Sequence, residues 1–295
     1  TLDIAVDGLA VDTLSDADLG HGNAAQVVGY KLGMLTGGGV MLALSARVGL
    51  QGVFLLIALL TSMVMGFTWA FRERPGSGAA TATPTRIRDV WLTLLRAIAN
   101  RGGGWVLLAV ATYKLGESMS DAMFKPFLVD SGFARETIGF WVGSVGIALS
   151  IVGSLAGAVL ATKLGFVRAL VVTGALRVLP IAALVWLARH HPTLAEMAWI
   201  TGAEHLFGGA LTTAMFAFMM SRVDCRIGPT HFPVRPAVEV LGKAPSGWLS
   251  GLLADAHGYR LVFVLATALS LGFLLTLLPL RRDVPPSRAS GSRSE

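Results

Sequence analysis

The sequence predicts an all-α membrane protein. Three observations carry this: 54% of the 295 residues are hydrophobic and only 14% charged, the mean hydropathy is +0.66, and the apolar residues gather into runs long enough to cross a bilayer. A soluble domain carries roughly 25% charged residues, and a helical crossing needs about 20 consecutive apolar ones. A lone cysteine, Cys225, excludes an intrachain disulfide. Thr1 opens inside an apolar-polar pattern with no charged n-region or cleavage site before it. No signal peptide is read there, and the sequence is expected to begin partway through a longer protein.

Three stretches are long and free of charge: Val48 to Phe71, Thr137 to Thr162 and Leu261 to Leu280. Five more are apolar but interrupted by ionisable residues: Asn23 to Ala46, Trp105 to Val129, Phe166 to Ala188, Leu194 to Ser221 and Pro236 to Ala254. Together they predict eight spans, with a shorter apolar segment at Thr1 to Leu14. Glycines Gly153 and Gly157, in a GxxxG pattern within an apolar span, predict close helix packing.

Orientation follows from lysine and arginine asymmetry. With Arg72 to Arg101 on the cytoplasmic side, twelve loop cations share that side and four, Arg47, Arg135, Arg189 and Arg260, oppose them. This is a positive-inside bias, and it accounts for the net charge of +6 without nucleic acid. The run "PGSGAATATPT" from Pro75 reads as a flexible linker. The following "RIRDVWLTLLRAIANR" gathers Ile87, Trp91, Leu94 and Ile98 on one face, as an amphipathic helix on the inner leaflet would. The chain therefore divides into a partial first bundle (1–71), a cytoplasmic linker with an interfacial helix (72–101), a second bundle (102–280) and a disordered cytoplasmic tail (281–295). A short repeat, Gln26-Val27-Val28-Gly29-Tyr30 against Glu239-Val240-Leu241-Gly242-Lys243, fits two bundles related by an axis along the membrane normal.

Charges inside spans are the candidate functional residues, because each costs about 2.5 to 3.5 kcal/mol at mid-bilayer on insertion scales. The run "YKLGESMSDAMFKPFL" from Tyr113 places Lys114, Glu117, Asp121 and Lys125 on one helix face, lining a cavity or forming an ion-pair ladder. Asp3 and Asp7 lie one turn apart, with Asp12 beyond. Desolvated carboxylates of this kind can exchange a proton near neutrality; pairing with Lys31 or loop arginines is the alternative. Lys31, among Gly29, Gly33 and Gly37, is expected to point at an anionic group, either a carboxylate or a substrate. Glu204 and His205 are adjacent in mid-span, as a proton relay or as packing residues. Glu239 and Lys243, at i and i+4, satisfy each other or face the cavity. Arg177 could neutralise one of these carboxylates or snorkel to the inner face. Gln26, Tyr30 and Tyr113 complete the candidate lining.

Soluble-enzyme motifs fail. Gly242-Lys243 is no phosphate loop, since Ala237 and Ala244 stand at its required positions. His190 and His191, adjacent in an outer loop, suit a surface pair better than a metal site. No nucleophile-base constellation appears, and no cofactor or metal is expected.

The motifs "DIAVDGLAVDTL", "GNAAQVVGYKLGMLTGGG", "YKLGES", "GPTHF" and "VLGKAPSGWLSGLLADAHGY" occur in order between Asp3 and about Leu280. In them the chain resembles the AmpG-type muropeptide permeases and acetyl-CoA-transporter-like relatives of the major facilitator superfamily. The resemblance implies the major facilitator fold of two six-helix bundles. Thr1 to Leu14 would then be a remnant of the fourth helix, with the first three missing. It further implies a monomer in the cell inner membrane, with a cytoplasmic C-terminus, importing anhydromuropeptides together with protons. A siderophore importer, or a membrane sensor or decayed gene product that no longer transports, is the alternative. Carried over, the helix-four acidic positions fall on Asp3 and Asp7 and the helix-five basic position on Lys31, where many relatives have arginine. Lysine keeps the charge but loses the planar fork. The prolines of "HFPVRPAVEV" depart from the family pattern, and a helix opening at Pro236 would tolerate them.

Overall fold

The computed structural model describes residues 6, 9, 18–70, 101–222 and 228–281, and these are helical apart from short turns, with no strand among them. Helix α1 (Leu19–Met34) runs through a π-helical segment (Leu35–Val40) into α2 (Met41–Ala70). After the linker come α3 (Arg101–Thr112), α4 (Leu115–Asp130), the short α5 (Arg135–Ile138), a second π segment (Gly139–Val145), α6 (Gly146–Leu164) and α7 (Phe166–Leu187). The chain continues with α8 (Leu194–Ser221), α9 (Gly228–His257) and α10 (Tyr259–Thr276). Among the described residues, four segments are long and apolar enough to cross a membrane: Arg47–Ala70, Arg135–Leu164, Phe166–Leu187 and Tyr259–Thr276. The chain is a multi-pass membrane protein. Residues Asp3, Asp7 and Asp12, the amphipathic linker run and the tail beyond Arg281 lie outside the described residues.

Two pairs of consecutive helices are joined by single glycines. Gly165 joins α6 to α7 with φ 79° and ψ 156°, and Gly258 joins α9 to α10 with φ 79° and ψ 167°. Such dihedrals are accessible essentially to glycine alone. The same geometry breaks α2 at Gly49 (φ 67°, ψ 172°), two residues past the boundary expected at Arg47.

Two other boundaries differ from the sequence expectation. The predicted span Trp105 to Val129 is two helices, interrupted by a turn at Tyr113 and Lys114. Lys114 is therefore the N-cap residue of α4 rather than a member of its helical face. Helix α9 begins at Gly228 and runs through Pro233 and Pro236, not from Pro236. Pro233 and Pro236 are its sixth and ninth residues, past the first turn, so each removes an amide donor from the intrahelical ladder without ending the helix.

The core is assembled around α8. Buried Met215, Phe218 and Met219 pack with Val110 of α3, Leu170 of α7 and Phe273 of α10. A second cluster joins Phe127 and Leu128 of α4 to Leu184, Met197 and Phe263. Glycine lets these helices touch backbone to backbone. A Cβ on Gly153 or Gly157 of α6 would collide with the carbonyls of Leu206 or Ala210 on α8, and one on Gly209 of α8 with the carbonyl of Ser150. The GxxxG pair thus packs α6 against α8. By contrast α2 presents Leu55, Phe67 and Trp69 at 72%, 75% and 91% exposure. Such a face is stable against lipid tails or further apolar helices.

Candidate functional site

A cavity of about 1010 Å³ opens between α1 and the helices that follow the linker. The polar side chains on its walls come from α1 (Asn23, Gln26, Tyr30, Lys31), α4 (Glu117, Asp121, Lys125), α6 (Ser150), α7 (Arg177), α8 (Glu204, His205, Thr212) and α9 (Glu239, Lys243), with Lys114 at the α3–α4 turn. In an apolar helical protein, ionisable groups survive only where they find partners or water. These find both.

The α3–α4 turn places two of them. Tyr113, 3% exposed, donates its hydroxyl to Glu239 Oε2 at 2.7 Å, across 126 residues of sequence. Lys243 Nζ donates to Glu239 Oε1 at 3.0 Å. Lys114 Nζ stands 4.0 Å from the same Oε1 and 3.7 Å from Glu117 Oε1. Gly242 lets α9 approach close enough, since a Cβ there would meet the carbonyl of Ala111 on α3.

The second node is Arg177, 2% exposed in the middle of α7. Its NH1 donates to the Glu204 main-chain carbonyl at 2.7 Å and its NH2 to Glu204 Oε1. Nε lies 3.5 Å from Glu117 Oε2, and NH2 lies 3.7 Å from Asp121 Oδ1. One guanidinium therefore serves carboxylates from two helices, which its planar set of five donors suits. Gly208 makes the room, as a Cβ there would lie 3.3 Å from the guanidinium carbon. Glu204 and Glu117 side chains are 8% and 12% exposed, whereas Asp121 is 52% exposed toward the cavity. His205 Nδ1 lies 2.7 Å from Glu204 Oε2.

Lys31 bridges the two parts of the chain. Its ammonium donates to Ser150 O at 2.9 Å, Ser150 Oγ at 2.5 Å and Ser154 Oγ at 2.8 Å, all on α6. Nearby, Asn23 Nδ2 donates to Thr213 O of α8 at 2.8 Å. The lysine expected to face an anion is thus seated on neutral oxygens. Tyr30 is 67% exposed on the cavity wall, and Lys125 is exposed with no ion pair among the described residues.

The predicted cavity residues within the described portion line one space except Tyr113, which is buried and bonded to Glu239, and Asp3 and Asp7 fall outside that portion. Arg177 belongs to the site. Its position within an apolar span was the available signal, and snorkelling was the competing expectation. Asn23, Ser150 and Ser154 carried no signal, because uncharged polar residues are unremarkable in a membrane helix. Among the described residues no group of three His, Cys, Asp or Glu side chains could hold a metal.

Three relatives are similar to the chain along nearly its whole length. The chain is 29% identical over 292 residues to the anhydromuropeptide permease of Escherichia coli strain K12, covering 98% of this chain and 59% of that protein. It is 24% identical over 294 residues to the putative transporter AmpG 4 of Rickettsia felis, covering 96% and 70%. The chain is similar to AmpG-type permeases over nearly its whole length. An uncharacterized protein of Haemophilus influenzae is 28% identical over 296 residues, again covering 96% and 70%. No protein-family model matches the chain. The chain spans 59% of the length of the Escherichia coli permease, and the relatives with functional names are permeases and transporters, not enzymes.

Proposed function

We propose that this chain is part of a proton-coupled secondary transporter of the inner membrane, importing a small solute, with an anhydromuropeptide as the substrate. The observation that carries this reading is a cavity into which five helices and one turn project ionisable side chains in an otherwise apolar protein. Intramembrane charges of this kind mark substrate and ion pathways. The substrate comes from the name of the Escherichia coli relative. Residues 1–71 would contribute part of one bundle and 102–280 the other, the two rocking about the cavity. Asp3, Asp7 or the Glu204–His205 pair would carry the proton, and the C-terminus would face the cytoplasm with the cation-rich loops.

Vesicles containing the full-length protein should accumulate labelled anhydromuropeptide when a proton gradient is imposed and not otherwise. Gradient-independent uptake would remove the coupling. Siderophore uptake without muropeptide uptake would replace the substrate, and no movement of either would remove transport.

A further inference from the structure

Glu204 and His205 present two ionisable side chains from one turn of α8, and their geometry separates their roles. Both carboxylate oxygens of Glu204 have donors: Oε1 is held by Arg177 and Oε2 by His205 Nδ1 at 2.7 Å. The same Nδ1 lies 3.0 Å from Thr201 O. Both neighbours of Nδ1 are acceptors, so Nδ1 carries the hydrogen and the lone pair of a neutral ring resides on Nε2. Nε2 has no hydrogen-bond partner among the described residues, and the side chain is 21% exposed on the cavity wall. The ring occupies the niche left by Gly146 of α6, where a Cβ would stand 2.6 Å from Cδ2 and 2.7 Å from Nε2.

We propose that His205 Nε2 takes and returns the coupling proton, with Glu204 and Arg177 as positioning residues that fix the tautomer. This rests on the proton-coupled reading above. In the step, a proton from water on one side adds to the Nε2 lone pair and gives an imidazolium whose Nδ1–H still faces Glu204 and Thr201. On the other side the Nε2–H bond breaks and the proton returns to water, with no other bond altered. Among the described residues, the charged groups around the ring are Glu204 on its own helix, Arg177 from α7, Glu117 and Asp121 from α4, and Lys31 of α1 seated one turn along α6. Helix α6 itself carries only Lys163 as an ionisable side chain, at its far end. Glu204 is already held by the guanidinium and so acts as the fixed counter-charge.

His205→Asn separates the proposal from a packing role, because an asparagine amide can still donate as Nδ1 does but has no basic nitrogen. In vesicles containing the full-length protein, a one-unit pH gradient should give about a tenfold accumulation of labelled anhydromuropeptide at one proton per solute. His205→Asn should abolish accumulation and flatten the pH profile while exchange of labelled for unlabelled solute continues. Wild-type accumulation by His205→Asn would overturn the proposal, as would loss of exchange together with accumulation in a variant that purifies as wild type. Nitrogen-15 spectra of the purified protein, with the signal assigned by its absence in His205→Asn, give a readout independent of transport. The Nδ1–H tautomer should be present at high pH, with Nε2 gaining a proton as the pH is lowered. An Nε2–H tautomer, or no titration, would overturn the proposal even if wild-type transport is never observed. If the spectra behave as expected but wild type moves nothing, the transport reading fails instead.

Discussion

Arg177 of α7 and Glu204 of α8 are bound twice, through the carboxylate and through the main-chain carbonyl, and both are buried. The second bond ties the guanidinium to the backbone of α8 as well as to a side chain. It holds α7 and α8 in one register at cavity depth.

The two partners should not be equivalent. Arg177→Met leaves Glu204, Glu117 and Asp121 without their shared cation, and breaking a buried pair this way costs about 3–5 kcal/mol. Glu204→Gln leaves Arg177 with Glu117 at 3.5 Å and Asp121 at 3.7 Å, so its cost should be smaller. Thermal unfolding in detergent should rank Arg177→Met well below Glu204→Gln, and adding Glu204→Gln to Arg177→Met should recover part of the loss. Equal losses in the two single variants would contradict the shared-cation geometry.

Two glycines should fail for different reasons. Gly165→Ala meets no atom within 4 Å but forces alanine to φ 79°, a strain of about 1–3 kcal/mol. Gly153→Ala keeps ordinary helical dihedrals but drives a methyl into the carbonyl of Leu206. Gly165→Ala should lower the melting temperature while leaving the α6–α8 distance, read by paired spin labels, unchanged. Gly153→Ala should lengthen that distance.

Lys31 should matter as a tie between α1 and α6. Lys31→Met removes all three bonds to Ser150 and Ser154, each worth about 1.5–3 kcal/mol when one partner is charged. Hydrogen–deuterium exchange across α1 should rise in Lys31→Met and, to a lesser degree, in Ser154→Ala. Unchanged protection in Lys31→Met would mean that apolar contacts such as buried Ala24 and Val27 hold α1 alone.

Much of the architecture was legible because a bilayer imposes simple rules on sequence. An apolar run must be helical when its backbone groups have no water to bond, so Val48 to Phe71 and Phe166 to Ala188 announced themselves, and the structure has Arg47–Ala70 and Phe166–Leu187 there. The glycine pair in "IVGSLAGAVL" announced close packing for the same reason. The α3–α4 break at Tyr113 and Lys114 was hidden, because its flanks are apolar throughout and the charges after it keep helical spacing.

The sequence by itself determined that this chain is helical and membrane-embedded, and which ionisable residues have to be accommodated inside it. Those are properties of residue type and local spacing. Only the tertiary structure decided which charge meets which. Arg177 finds Glu204 across 27 residues, Tyr113 finds Glu239 across 126 and Lys31 finds Ser150 across 119. Such pairings depend on helix register, and here register is set by glycine contacts between backbones that no pattern of charge reveals.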